Sequence, residues 1–294
     1  MSEDASSSRQ NWLDAVTSWN RVIESSASQA DPEWLYSRSV ANLELQEFPQ
    51  ADMDFETAVS LDKDRLRISR RTFAFGERLG ELQQWTLAAK YLARVFSNNP
   101  TSESAYSLAV AQLKSGDIAA YAATCERTIH QFGECGSLED SNNAAWTCVL
   151  ANAASGPDVI KTTLNTTRAN VETSNDPGSQ YLYLNTLGAA FYRARQLEES
   201  KETLEKARSA YRDRAGPSES ATLSDSDGTV WDWIFLSMVC KKLGQDAAAE
   251  KWLRKVDEDL AMPNSSRIWR VRAELELLQK EATELVSPSQ TVRE

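Results

Sequence analysis

Apolar residues recur at spacings of three and four along most of the chain, the pattern of amphipathic helices. The stretch 181–207 shows it most clearly. Its first half places on one face Leu184, Leu187, Gly188 and Phe191, at i, i+3, i+4 and i+7. After a short break at 195–196, the second half places on one face Ser200, Leu204 and Ala207. The pattern predicts two helices joined by a tight turn, an antiparallel hairpin.

The same pattern returns about every 34 residues, which indicates a repeat protein. Six units are predicted, near residues 32–65, 69–101, 102–135, 141–172, 181–214 and 230–260. The prolines fall at the predicted helix boundaries, where a helix tolerates them: Pro32, Pro49, Pro100, Pro157, Pro177, Pro217, Pro263 and Pro288. Only 11 of the 294 residues are Gly and 8 are Pro, so helices can run uninterrupted between these breaks.

The sequence predicts a capping helix at each end of the array. An amphipathic helix with Trp12, Ala15, Trp19 and Val22 resembles the second half of a unit that lacks its first helix. A helix over 265–286 is expected to cap the last unit, because terminal repeats otherwise expose apolar faces. We expect residues 1–10 to be disordered, 215–228 to form a mobile loop and 287–294 to form a flexible tail. The remaining range, 11–286, is predicted to be one continuous array.

The residues at equivalent places in the units resemble the tetratricopeptide repeat (TPR). That family has large residues at positions 4, 7, 11 and 24 and small ones at 8, 20 and 27. The unit from Ser69 matches with Phe75, Gly76, Ala88 and Leu92, and the unit from Val230 matches with Trp233, Ser237, Ala249 and Leu253. The resemblance implies an all-α, right-handed superhelix of about six hairpins with capping helices at both ends. It also implies a non-catalytic scaffold that binds a protein or peptide partner.

Three segments are similar to TPR arrays of large bacterial proteins, which are often joined to a Ser/Thr protein kinase or a β-propeller. These segments are 141–151, 183–207 and 231–245. The chain itself has none of the kinase motifs, since His130 is followed by Gln131 and no Gly-rich loop is present. The resemblance therefore implies a scaffolding role, with a link to a bacterial kinase system as an extension.

Composition removes several classes of chemistry. A single histidine, His130, argues against catalytic zinc sites, and the four cysteines (Cys125, Cys135, Cys148 and Cys240) match no metal-binding spacing. We expect no metal, no cofactor and no enzymatic activity. A net charge of -11 disfavours nucleic acid as a partner. The N-terminal ten residues lack an apolar core and no segment is long enough to span a bilayer, so a cytoplasmic protein without membrane contact is expected.

Charge is unevenly distributed along the chain. Residues 1–64 hold 4 Lys and Arg against 13 Asp and Glu, whereas residues 65–100 hold 7 against 2. The basic excess comes mostly from a cluster of Arg65, Arg67, Arg70 and Arg71. This cluster could seat an acidic peptide or phosphate. We favour the simpler interpretation that it balances the acidic repeat beside it.

In TPR arrays the first helix of each hairpin lines a concave groove. The positions that face this groove are occupied here by Tyr36, Val40, Arg70, Phe73, Tyr106, Val110, Asn185, Trp231, Ile234 and Met238. Aromatic residues along a groove can hold a peptide or a helix through apolar contact. The same residues could instead pack against neighbouring helices and show little surface, and the sequence supports both interpretations equally.

The groove lacks one specialised feature of the family. Chaperone-binding TPR domains hold a C-terminal carboxylate with a clamp of Lys, Asn and Arg, and the matching positions here are Tyr36, Val40, Ala74, Glu103 and Ser107. The leading hypothesis is therefore an interaction scaffold without this clamp. The alternative is a helical-toroid enzyme or small-ligand protein that uses the aromatic-lined concavity as a pocket, which would need convergent carboxylates with shifted pKa values.

Overall fold

A computed structural model describes residues 3–26, 31–134, 137–151, 156–215, 228–262 and 267–287. These residues form fourteen α-helices and no strands, which confirms the all-α fold class for this part of the chain. The helices are α1 (Glu3–Ser25), α2 (Pro32–Glu44), α3 (Phe48–Leu61), α4 (Arg65–Glu81), α5 (Trp85–Asn98), α6 (Ser102–Ser115), α7 (Ile118–Phe132), α8 (Leu138–Val149), α9 (Pro157–Thr173), α10 (Pro177–Arg193), α11 (Leu197–Ala215), α12 (Val230–Lys242), α13 (Asp246–Ala261) and α14 (Trp269–Val286). None of these helices is both long and apolar enough to cross a bilayer.

Twelve of the helices pair in sequence order into six hairpins, from α2–α3 to α12–α13. The chain divides into two compact units, unit 1 over residues 1–99 and unit 2 over residues 100–294. Unit 1 holds α1 and the first two hairpins, and unit 2 holds the other four hairpins and α14. The sequence predicts one array over 11–286, because the repeat pattern continues through both units.

Small side chains lie where the two helices of a hairpin meet, as the TPR resemblance implies. In the fifth hairpin Gly188 of α10 faces Leu204 of α11, and Ser200 Oγ donates a 2.7 Å hydrogen bond to the Gly188 carbonyl. In the second hairpin Gly76 faces Leu92 in the same way. At the small positions of the second helices, 20 and 27, the residues Ala51, Ala58, Ala88, Ala207 and Ala249 are fully buried. The described hairpins are therefore TPR-like in their packing as well as in their order.

One turn conformation recurs between the helices of five hairpins. The fifteenth residue of each of these units has a positive φ, with values from 58° to 80°. The five residues are Gln46, Gln83, Gly116, Arg195 and Gly244. Only two of them are Gly, although an L-residue in the left-handed region carries a steric cost. The turn is thus imposed by the pairing of the two helices and not by residue preference alone.

Unit 1 has an aromatic core that crosses both of its hairpins. The Phe55 ring stacks on Phe75 at 4.1 Å between centroids, and Tyr91 meets both rings edge-on at 5.1 and 4.8 Å. Helix α1 packs against α2, where Arg38 links Asn20 of α1 to the buried Asp54 of α3. Stacked and edge-on aromatic pairs stabilise beyond their buried area, by about 1 kcal/mol each.

The structure differs from expectation at the N-terminal end. Residues 3–10 belong to α1 and are not disordered, since 3–25 contains neither Gly nor Pro to interrupt a helix. Three expectations lie wholly or mostly outside the described residues: the mobile loop over 215–228, the flexible tail over 287–294, and the position of Cys135. The predicted capping helix begins at Trp269.

Candidate functional site

Helix α14 lies on the face that the first helices of unit 2 present. It packs against α6, α12 and α13, and it makes side-chain hydrogen bonds to α8 and α10. All four first helices of this unit (α6, α8, α10 and α12) therefore touch it. The sequence predicts a helix that covers only the last repeat. The observed helix also extends to α6, the first helix of the unit, and we call this surface of the four first helices the first-helix face of unit 2.

A single carboxylate, that of Glu274, anchors α14 on this face. Tyr106 Oη donates a hydrogen bond to Glu274 Oε2, while Trp146 Nε1 and Trp231 Nε1 donate to Oε1 at 3.2 and 2.5 Å. The Glu274 side chain is buried at 1% exposure, although a carboxylate is rarely buried without a partner. Burial raises the pKa of Glu274 to about 7, and the three hydrogen bonds oppose that rise without cancelling it.

Charged pairs surround this anchor. Arg270 Nη2 lies 2.7 Å from Glu103 Oε1 and Lys114 Nζ lies 2.7 Å from Glu276 Oε2, and both pairs join α14 to α6. Arg193 of α10 donates to Glu281 at 2.8 Å and, through Nε, to the Val149 carbonyl. The signs of charge on α14 therefore complement those on the first-helix face along the length of the helix.

The apolar side of α14 closes the core of unit 2. Leu275, Leu278 and Ala282 are at most 1% exposed and belong to one cluster with Ile234 and Met238 of α12. Burial of side chains of this size contributes roughly 1.5–3 kcal/mol each. The face therefore holds α14 by an apolar strip, a buried polar anchor and a charged rim.

The six groove residues predicted in unit 2 all lie on the first helices. Val110, Ile234 and Met238 are fully buried, and Tyr106 and Trp231 are half-buried against Glu274. Asn185 is also buried, and its Nδ2 donates a 2.7 Å hydrogen bond to Asp232 of the α12 capping box. With α14 in place, these residues pack against neighbouring helices and form no open groove.

In unit 1 the four predicted groove residues differ in exposure. Tyr36 is 1% exposed, and its hydroxyl bonds to Asp62. Its pKa is raised to about 12 by burial, with Asp62 adding to the shift. Phe73 is half-buried, whereas Val40 and Arg70 are exposed. Val40, Arg70 and Phe73 are thus the predicted groove residues that a partner could reach directly.

Part of the basic cluster is balanced within unit 1, as the simpler interpretation holds. Arg67 lies 2.6 Å from Asp62, and this guanidinium lowers the pKa of Asp62 to about 2. Arg71 lies 2.7 Å from Glu33 and stacks over the Tyr36 ring. Arg65 and Arg70 are exposed.

The candidates for other chemistry occupy structural positions. Among the described residues, Cys125, Cys148 and Cys240 are buried and form no disulfide, and His130 is exposed in the last turn of α7. The hydrogen bond with Cys125 raises the pKa of the Cys148 thiol, and burial adds to that rise. A raised pKa disfavours the reactive thiolate. Across the described ranges, no three His, Cys, Asp or Glu side chains come together as metal ligands would.

Sequence reasoning missed the two residues that complete the anchor, Glu274 and Trp146. Glu274 lies in a helix rich in charged residues, where acids usually face solvent. One signal was present: Leu275 and Leu278 place the apolar stripe of α14 directly beside Glu274.

No family model and no curated protein sequence matches the chain. Among solved structures, the chain is similar to the TPR2AB domain of yeast Sti1 in its pHSP90 complex. That similarity has a TM-score of 0.32 and 16% sequence identity, and it covers 94% of this chain and 93% of the other. At this TM-score the assignment of TPR-like hairpins rests on the helix pairing and small-residue contacts described above.

Proposed function

We propose that this protein is a non-catalytic interaction scaffold that binds a helix or peptide of a protein partner on the faces of its first helices. The observation that carries the proposal is α14, because the first-helix face of unit 2 already holds an amphipathic helix. The aromatic donors Tyr106, Trp146 and Trp231 provide affinity, and the charged rim fixes orientation. Helix-in-groove recognition uses the same elements between separate chains.

The test begins with affinity purification of the full chain, followed by calorimetry with the purified partner. On unit 1, Val40→Glu and Arg70→Glu change exposed side chains of the predicted groove and should weaken binding at least tenfold if the partner seats there. Glu250→Lys changes an exposed charge on the second helix α13 and serves as the matched control. A partner that binds all face variants, including those of unit 2 described below, as tightly as the wild type would contradict the proposal.

The finer parts of the proposal concern setting and partner class. The likeness of three segments to kinase-linked bacterial arrays supports a bacterial kinase signalling system as the first source of partners to test. The net charge of -11 supports a protein partner over nucleic acid. A cytoplasmic location without membrane contact is part of the same proposal. A purified bacterial kinase domain that binds only with a dissociation constant above about 1 mM would contradict the proposed link to a kinase system.

One observation favours the enzyme alternative, namely a carboxyl with a pKa of about 7 beside a tyrosine and two tryptophans. Such shifts are common in active sites. Here, however, both carboxylate oxygens of Glu274 already accept hydrogen bonds from the protein and the side chain is buried. Glu274 is itself part of α14, so a substrate could reach it only after α14 separates from the three donors. The arrangement therefore supports a structural anchor.

A further inference from the structure

The contact between α14 and α6 has the composition of an exchangeable interface. Its bonds are polar: Tyr106 to Glu274, Arg270 to Glu103 and Ser107, and Lys114 to Glu276. Glu103 and Glu276 are 58% and 60% exposed, so these rim pairs meet solvent. Ion pairs at such a rim add little affinity but select the partner and fix its register.

The hairpins of unit 2 do not depend on α14 for their own pairing. In each hairpin the two helices pack against each other, and α8 also packs on α6 and α10, and α10 on α12. None of these contacts passes through α14. Removal of the helix would uncover the three aromatic donors and take Leu275, Leu278 and Ala282 out of the cluster that holds Ile234 and Met238. Such a surface needs a similar helix to cover it.

We propose that the first-helix face of unit 2 is a helix-binding site whose resident ligand is α14, and that a protein partner binds there as an amphipathic helix that replaces α14. This inference rests on the proposed function and specifies its partner. The chemistry of α14 defines that partner: a glutamate anchor, an arginine four residues before it, and acids two and seven residues after it. Apolar residues follow the anchor at +1, +4 and +8, as do Leu275, Leu278 and Ala282.

The test uses the full chain and a fluorescent peptide of residues 267–287. In the variant Arg270→Glu/Glu276→Lys, both rim pairs of the resident helix become repulsive, while the face keeps Glu103 and Lys114. The peptide carries the native charges and should bind this variant at least tenfold more tightly than the wild type, by fluorescence anisotropy. A peptide with Glu274→Ala should lose at least tenfold in affinity, because the three donors then lose the carboxylate that accepts their hydrogen bonds.

Two controls separate the effect from general destabilisation. Adding Glu103→Arg/Lys114→Glu to the variant restores attraction to the resident helix and repels the native peptide, so peptide binding should return to the wild-type level. The side chain of Lys280 on α14 is 74% exposed. The variant Lys280→Glu reverses its charge, and this variant should bind the peptide as the wild type does. If the double reversal lowers the helical circular dichroism signal by more than the unfolding of α14 alone accounts for, Glu276→Lys alone provides the same test with one pair.

A folded reversal variant that binds the peptide no better than the wild type would overturn the inference. The outcome is distinguishable from failure of the proposed function. If the peptide binds the reversal variant no better than the wild type, but Val40→Glu or Arg70→Glu still weakens the binding of a purified partner, the scaffold function stands and the replacement of α14 does not. Should the peptide bind as expected while no partner responds to any face variant, the helix-binding site stands and the scaffold function does not.

Discussion

At the residue scale, glycines at the hairpin contacts set how closely two helices can approach. A Cβ added at Gly188 would lie 2.6 Å from Leu204 Cγ, whereas one at Gly76 would lie 3.0 Å from Leu92 Cγ. Gly188→Ala should therefore cost about 1–3 kcal/mol in overpacking, offset in part by about 1 kcal/mol of helix propensity. Gly76→Ala should be nearly neutral. Urea unfolding of the two variants tests this order, and equal destabilisation would show that the contacts are equally tight.

Glu274 makes a residue-scale prediction about pH. Its pKa is about 7 in the folded protein against 4.5 ordinarily, so the folded state binds the proton more tightly than the unfolded state. Stability should then fall as pH rises from about 4.5 to about 7, by about 3 kcal/mol, and the loss should level off above that. The buried Asp232, whose pKa burial also raises, acts in the same direction.

The control is Glu274→Gln, which keeps the shape and removes the titration. The difference in unfolding free energy between the two proteins, measured from pH 4.5 to 8, isolates the contribution of Glu274 from that of Asp232. A difference that stays constant across this range would mean that Glu274 is not buried on the first-helix face.

At the element scale, the hairpin turns test how far local backbone preference matters. Gly116 ends α6 at φ 80°, and a Cβ there would meet nothing within 4 Å. Gly116→Ala should therefore cost about 1–2 kcal/mol from the backbone alone. Gln83 occupies the equivalent turn of the second hairpin at φ 58°. Gln83→Gly removes the Cβ there, so it should destabilise the fold less than Gly116→Ala does, or stabilise it. Thermal unfolding of both variants measures the contrast, which similar losses would refute.

The helices and their pairing into hairpins were the part of the structure that the sequence predicted best. Hairpin order follows from local spacing, because one helix turn fixes which residues share a face. The close contacts at Gly76 and Gly188 follow from the TPR resemblance, which implies small residues at those positions. The docking of α14 could not be predicted in the same way. Its apolar stripe showed that one side would be covered, but the polar contacts of Glu274 reach α6, which is more than 160 residues away in sequence. Asn185 illustrates the same limit, since its partner Asp232 lies 47 residues ahead.

At the scale of the whole molecule, contacts distant in sequence decide which surfaces remain open. Within unit 2 the predicted groove is filled by the chain itself, whereas unit 1 presents Val40 and Arg70 to solvent. The central claim is therefore that α14 is seated on the first-helix face through Glu274, and the bond from Tyr106 is its longest-range component, 168 residues in sequence.

A double-mutant cycle on the unfolding free energy tests this claim most directly. Tyr106→Phe, Glu274→Gln and the double variant are compared with the wild type at pH 8, where Glu274 is mostly ionised. A hydrogen bond to a buried charge predicts a coupling energy of about 1–3 kcal/mol between the two positions. A coupling energy within about 0.3 kcal/mol of zero would contradict the seating of α14 on α6.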